Sequence, residues 1–182
     1  MLYRFLAYSL HKPVDAEGLK DAAAMTGDDT ELGRAIDAFA HIASKSSPEV
    51  IAQEYHDLFI GVGRGELLPY GSYYLTGFLN EKPLAKLRSD MARIGIERRE
   101  NVKEPEDHIA ALYEMMSGLI TGEFDTVTDL EQQKQFFNAH VGSWASHFFT
   151  DLEAAKSSVL YGALGSVGRH FMAIEEMAFS MD

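Results

Sequence analysis

Apolar residues recur along most of the chain at intervals of three and four, the spacing of one face of an α-helix. Leu32, Ile36, Phe39, Ala40 and Ala43 form one such stripe. Ile51, Tyr55, Leu58 and Phe59 form the next, behind a helix start at Ser47-Pro48-Glu49. That start has an N-cap side chain, a proline in the first turn and an acid at the positive end. Leu84, Leu87, Met91 and Ile94 follow Pro83, and Ile109, Leu112, Tyr113, Met116, Leu119 and Ile120 keep a single register. Thr128-Asp129-Leu130-Glu131 reads as a capping box that opens another helix. Val141, Trp144, Ala145, Phe148, Phe149, Leu152 and Ala155 line one face. Leu160, Ala163, Leu164, Val167, Phe171, Ile174 and Ala178 line the last helix.

No run alternates apolar and polar residues, so no sheet is expected. The pattern predicts an all-α chain, a single-domain bundle of about eight helices over residues 1–182. Its one long break is "GVGRGELLPYGS", residues 61–72, with four glycines and a proline between helices. Loops of that length inside a compact domain are uncommon and often functional. A second break, "IGIERRENVKE", covers residues 94–104.

Composition narrows the function classes. A chain of 182 residues with 46% hydrophobic and 24% charged residues can bury a substantial core. Its formal charge of −12 excludes a general nucleic-acid binder, since phosphate is repelled. The same charge suits a cationic partner, or serves solubility alone. The absence of cysteine excludes disulfides, thiolate-bound metal clusters and a cysteine nucleophile. The start "MLYRFLAYSL" is short, broken by Arg4 and followed by no small-residue cleavage site, so it does not read as a signal peptide. Arg98-Arg99 lies inside the chain with no apolar stretch behind it, so it is no export signal. No apolar run reaches the roughly 18 to 20 residues of a membrane span. A cytoplasmic protein without membrane insertion is expected.

The densest chemistry lies in "KEPEDHIAAL", residues 103–112. Pro105 suits the first turn of a helix, and Glu104, Glu106 and Asp107 suit its positive end. His108 is unexplained by capping, because a histidine gains nothing from the positive end of a helix. A hydrogen bond to Asp107 or Glu104 would make it a buried polar lock or half of an acid–base pair. No serine or cysteine nucleophile stands beside it.

Other candidates carry less. His140 and His147, seven apart, would share a helix face with Asp151 following, but no H-E-x-x-H is present and no metal is expected. The glycines of residues 61–66 follow a helix and precede no Lys-Ser/Thr, unlike a phosphate loop. The enzyme alternative is a nucleotide-using switch or small enzyme, with His108 as base and that loop binding the phosphates of GTP. From Glu104 to Glu131 there are eight acids and no lysine or arginine. Such a block is either a solvated face or a partner for arginine. Tyr70, Tyr73, Tyr74 and Phe78 are either apolar-peptide anchors or core residues of a short helix.

Tyr55-x-x-Leu58-Phe59, Gly61 and Pro69-Tyr70-Gly71-Ser72-x-Tyr74 together resemble the first signature of the TorD/DmsD-type redox-enzyme maturation chaperones. Glu104-Pro105-Glu106-Asp107-His108 is similar to their E-P-x-D-H box. His140-x-x-x-Trp144-x-x-x-Phe148 and the Tyr161–Glu175 helix also fit, so the resemblance covers the chain from about residue 50 onward. It implies a non-enzymatic chaperone without cofactor, working as a monomer or homodimer. The implied partner is the catalytic subunit of a molybdopterin oxidoreductase and its twin-arginine signal peptide. Dimethyl sulfoxide, trimethylamine N-oxide and nitrate reductases and formate dehydrogenase are the implied clients, compact length favouring the last. From charge and hydrophobicity, Asp107 and His108 are expected to be the fixed polar pair of the recognition surface. Glu104 and Pro105 would position them, while Leu58, Phe59, Tyr70, Ser72, Tyr74 and Trp144 would complete the groove. The first 45 residues carry no diagnostic motif.

Overall fold

The computed structural model describes residues 2–98, 102–124 and 129–181. These residues build ten α-helices and no strand, only an isolated antiparallel bridge between Tyr70 and His108. The two helices beyond the expected eight, Ala16–Ala23 (α2) and Gly71–Thr76 (α5), are too short to leave a periodic stripe. The chain divides into two compact units.

One unit joins Met1–His11 to Pro69–Ala145. It holds α1 (Leu2–His11), α5, α6 (Lys82–Arg93), α7 (Ile109–Thr121) and α8 (Leu130–His140). α7 is apolar on more than one face and buries Ile109, Ala110, Leu112, Tyr113, Met115, Met116 and Leu119, as a central helix must. α1 packs against it, with Tyr3 edge-on to Tyr113 at 5.0 Å. α8 opens one residue later than the expected capping box. Asp129 accepts the Gln132 N–H at 2.8 Å, and the Gln132 side chain accepts the Asp129 N–H at 3.3 Å. Thr128 lies outside the described residues.

The helix expected from Val141 onward is also corrected. α8 stops at His140, residues 141–144 form turns, and α9 (Ala145–Ala154) starts afresh. Val141 and Gly142 both donate to the Phe137 carbonyl, which closes α8. The apolar spacing runs in phase through those turns, so periodicity alone does not register the break. His140 and His147 therefore belong to different helices, and the described residues contain no metal-binding cluster.

The second unit joins Lys12–Leu68 to Ser146–Asp182 and holds α2, α3 (Glu31–Ala43), α4 (Pro48–Tyr55), α9 beyond Ala145, and α10 (Leu160–Ser180). Ser47 caps α4 and Pro48 sits in its first turn, as the sequence predicts. α4 then widens into a π-helical turn, His56–Ile60, closed by the Gly61 N–H donating to the His56 carbonyl at 2.7 Å. Gly61 has φ +61° and ψ 178°, a conformation essentially confined to glycine. Beyond it the chain folds back, with Glu66 and Leu67 donating to the Asp57 and Leu58 carbonyls.

Two carboxylates of this unit organise the approach to α10. Glu54, buried, accepts the N–H groups of Val159, Leu160 and Tyr161 at 2.7, 3.2 and 2.8 Å. These donors lie at a helix start, where backbone amides lack intrahelical partners. Glu66 accepts those of Lys156 and Ser157 at 2.7 and 3.1 Å, and the bonds hold its carboxyl below its ordinary pKa.

Candidate functional site

The two sequence signatures of the first unit meet as an interlock. Gly71 donates to the Asp107 carbonyl and Ile109 to the Pro69 carbonyl, each at 2.9 Å. The Asp107 carboxylate adds a third bond, accepting the Ser72 N–H at 2.7 Å. Tyr70, the N-cap of α5, makes no side-chain capping bond, so Asp107 supplies the acceptor from another segment. The Tyr70 hydroxyl donates to Glu104, and its ring stands edge-on to His108 at 5.2 Å. A Cβ on Gly71 would lie 3.1 Å from the Trp144 indole nitrogen, closer than an ordinary contact. That nitrogen is fixed by donation to the His140 carbonyl at 2.8 Å, while Tyr74 packs on the Trp144 ring at 5.3 Å.

His108 does gain from the helix start, contrary to the expectation that a histidine gains nothing there. It is the N-cap of α7, and its Nδ1 accepts the Ala110 N–H at 3.1 Å. A ring nitrogen can accept only while unprotonated, so the proton sits on Nε2. Burial, and secondarily the charge of His11, lowers the His108 pKa from 6.5 to about 3. Neither Asp107 nor Glu104 is bonded to the ring; their acceptors go to Ser72 and Tyr70. A histidine so buried and so weakly basic makes a poor general base near neutral pH.

The acidic block is largely committed within the chain. Arg88 donates to one Glu106 oxygen from Nε and Nη2, at 3.0 and 2.8 Å, and Arg98 approaches the other at 3.5 Å. Although burial opposes it, these bonds hold the Glu106 pKa below its usual value. Glu123 pairs with Arg4, Asp129 caps α8, and Glu131 accepts from Gln135. Glu104 and Glu114 are exposed; Asp125 lies outside the described residues.

Accessibility divides the named residues into two groups. Asp107, His108, Ser72, Leu58 and Trp144 are buried, so the polar pair forms no accessible surface in this state. The Ser72 hydroxyl and Asp107 Oδ1 have no hydrogen-bond partner among the described residues. Tyr70, Tyr73, Tyr74 and Pro105 are half-buried and Glu104 is exposed. Leu58 and Phe59 belong to the other unit, where Phe59 packs on Tyr55 and Tyr161 at 4.9 and 5.6 Å. Sequence reading missed Leu75 and Leu79, which flank the named Phe78; the three are 43, 41 and 69% exposed. Their signal was an apolar trio directly behind the tyrosines and interrupted by Gly77, whose left-handed φ of +81° ends α5.

Comparisons place this geometry among known proteins. The family described as the nitrate reductase delta subunit matches residues 26–150, well over half of the chain. Chaperone protein TorD of Vibrio parahaemolyticus is 30% identical over 109 residues, 58% of this chain and 49% of that protein. TorD of Vibrio atlanticus is 27% identical over 72% of this chain and 66% of its own length, and that of one Vibrio cholerae strain 25% identical over 85% and 73%. The matched region thus spans between half and three quarters of these relatives. A crystal structure of a candidate redox enzyme maturation protein from Archaeoglobus fulgidus shares the fold. Its TM-score is 0.60 at 22% identity, covering 95% of this chain and 94% of that one. By the breadth of the family match and the agreement of fold and signatures, the chain belongs to the nitrate reductase delta subunit family, among the TorD/DmsD-type redox-enzyme maturation proteins.

Proposed function

We propose that the chain is a cytoplasmic, non-catalytic chaperone for the catalytic subunit of a molybdopterin oxidoreductase. It holds the subunit's twin-arginine signal peptide, its body or both, while the cofactor is inserted and before export. The supporting observation is the surface along and just beyond α5: Tyr70, Tyr73 and Tyr74 half-exposed, then Leu75, Phe78 and Leu79 exposed, with the helix pinned at its start by Asp107. Exposed apolar side chains grouped in this way mark a surface for an apolar partner. Exposed Glu81 and Glu104, with the net charge of −12, favour a partner that also carries positive charge. An apolar stretch behind a pair of arginines has both properties.

Asp107 and His108 then work indirectly: they fix the α5 start and the α7 start against each other and so hold the aromatic surface in place. Co-expression with catalytic subunits of the four client classes, each with and without its signal peptide, tests the reading. One class is expected to co-purify with the chain and to contain more bound molybdopterin when the chain is present. If all four mature equally well without it and none forms a complex, the chaperone reading fails.

A further inference from the structure

The first unit contains a cavity of about 350 Å³ bordered by α6 and α8, formed without any residue of the two signature segments 69–74 and 104–109. Its volume lies at the lower end of small-molecule sites. Asp90, on its wall, is saturated: Oδ2 takes Lys86 at 2.9 Å and His140 Nε2 at 2.8 Å, and Oδ1 takes Arg93 at 2.7 Å. The only carboxylate of the lining among the described residues therefore has little left for a further cation. The donors are less fully used. Arg93 spends one nitrogen on Asp90, leaving Nη1 and Nε, and Lys86 spends one of three N–H bonds. Gln132 engages its oxygen in the α8 cap, which leaves its amide group as a donor. Two cations against one carboxylate give the lining a local positive excess inside a chain of −12. Apart from Gln135 and His140, the rest of the wall is apolar, with Ile94, Leu119, Phe136 and Ala139.

We propose that this cavity binds a small organic anion. A carboxylate or phosphate group would sit between Lys86 and Arg93, with an aromatic or branched apolar body against Leu119 and Phe136. Arginine suits such a group because its fork offers paired donors, and the adjoining Asp90 holds both cations in place before the ligand arrives. The inference is independent of the chaperone reading, since it uses neither the α5 surface nor a protein partner.

Phenyl phosphate is the probe, with inorganic phosphate and benzyl alcohol as its two halves, titrated at constant ionic strength while backbone amide resonances are followed. Phenyl phosphate is expected to saturate shifts centred on Ile94, Gln135 and Ala139, with each half binding more weakly. Arg93→Gln and Lys86→Gln should each weaken it about tenfold, the loss of one charge-assisted contact. Lys20→Gln, an exposed change of equal charge in the other unit, should leave it unaltered. The proposal is overturned if phenyl phosphate gives no saturable shifts, if inorganic phosphate matches it, or if all three variants weaken it equally.

Discussion

The carboxylate of Asp107 accepts the backbone N–H of Ser72 at 2.7 Å, joining segments 35 residues apart in the chain. This bond ties the two family signatures into one object. It also explains why an acid beside a helix start is not a cap of its own helix: His108 caps α7, and Asp107 turns to α5.

Removal of that carboxylate leaves a buried donor without an acceptor. Asp107→Ala is expected to lower unfolding stability by about 2 kcal/mol, while Asp107→Asn, which keeps an acceptor oxygen, costs less. Urea denaturation measures both. Circular dichroism should show the helices retained in each variant.

The His108 cap makes stability depend on pH. Its folded pKa of about 3 lies below the ordinary 6.5, so the unfolded chain takes up the proton first. Its contribution is complete above 6.5 and declines as the pH falls toward about 3. The slope is at most about 1.4 kcal/mol per pH unit for one proton. His140, also pushed down by burial against the pull of Asp90, acts in the same direction. Asparagine can cap a helix without titrating, so His108→Asn should reduce the slope of the profile between 6.5 and 4.5, leaving the share of His140. Chemical denaturation across that range checks it; an unchanged slope contradicts the buried neutral cap.

Gly71→Ala presses a methyl group onto an indole that cannot retreat, since Trp144 is buried and bonded to the His140 carbonyl. A loss of about 1 to 3 kcal/mol is expected from thermal or urea unfolding. A change in Trp144 fluorescence should accompany it, as this is the chain's one tryptophan.

In the second unit Glu54 holds three amides at the start of α10. Glu54→Ala strands all three and should cost about 3 kcal/mol, measured by urea unfolding. Glu66→Ala, whose carboxylate serves two exposed amides, should cost less.

These cases show which parts of the molecule were legible in the chain. Apolar stripes marked the longer helices because burial imposes the helical period on side chains, and Ser47-Pro48 marked a start because capping is local. The turn at residues 141–144 was hidden because Val141, Trp144, Ala145 and Phe148 stay in register across it. Glu54 was invisible as an anchor, since its partners lie 105 to 107 residues away. Glu106 looked like free charge because Arg88 and Arg98 reach it from 18 and 8 residues upstream. His108 was misread for a chemical reason: its role follows from the neutral ring, and only burial shows that the ring is neutral. The signatures brought the interlocked segments into view, but which of their residues are exposed and which are buried appeared only in the fold.

The most direct test of the chaperone account is calorimetric titration of the chain with a synthetic twin-arginine signal peptide and a twin-lysine control, at low and physiological salt. Phe78→Ser, an exposed change, serves as the surface variant. The account predicts saturable binding that prefers arginine, weakens with salt and is reduced by Phe78→Ser, with the fold unchanged. Equal binding of the arginine and lysine peptides, indifferent to salt and to Phe78→Ser, would contradict it.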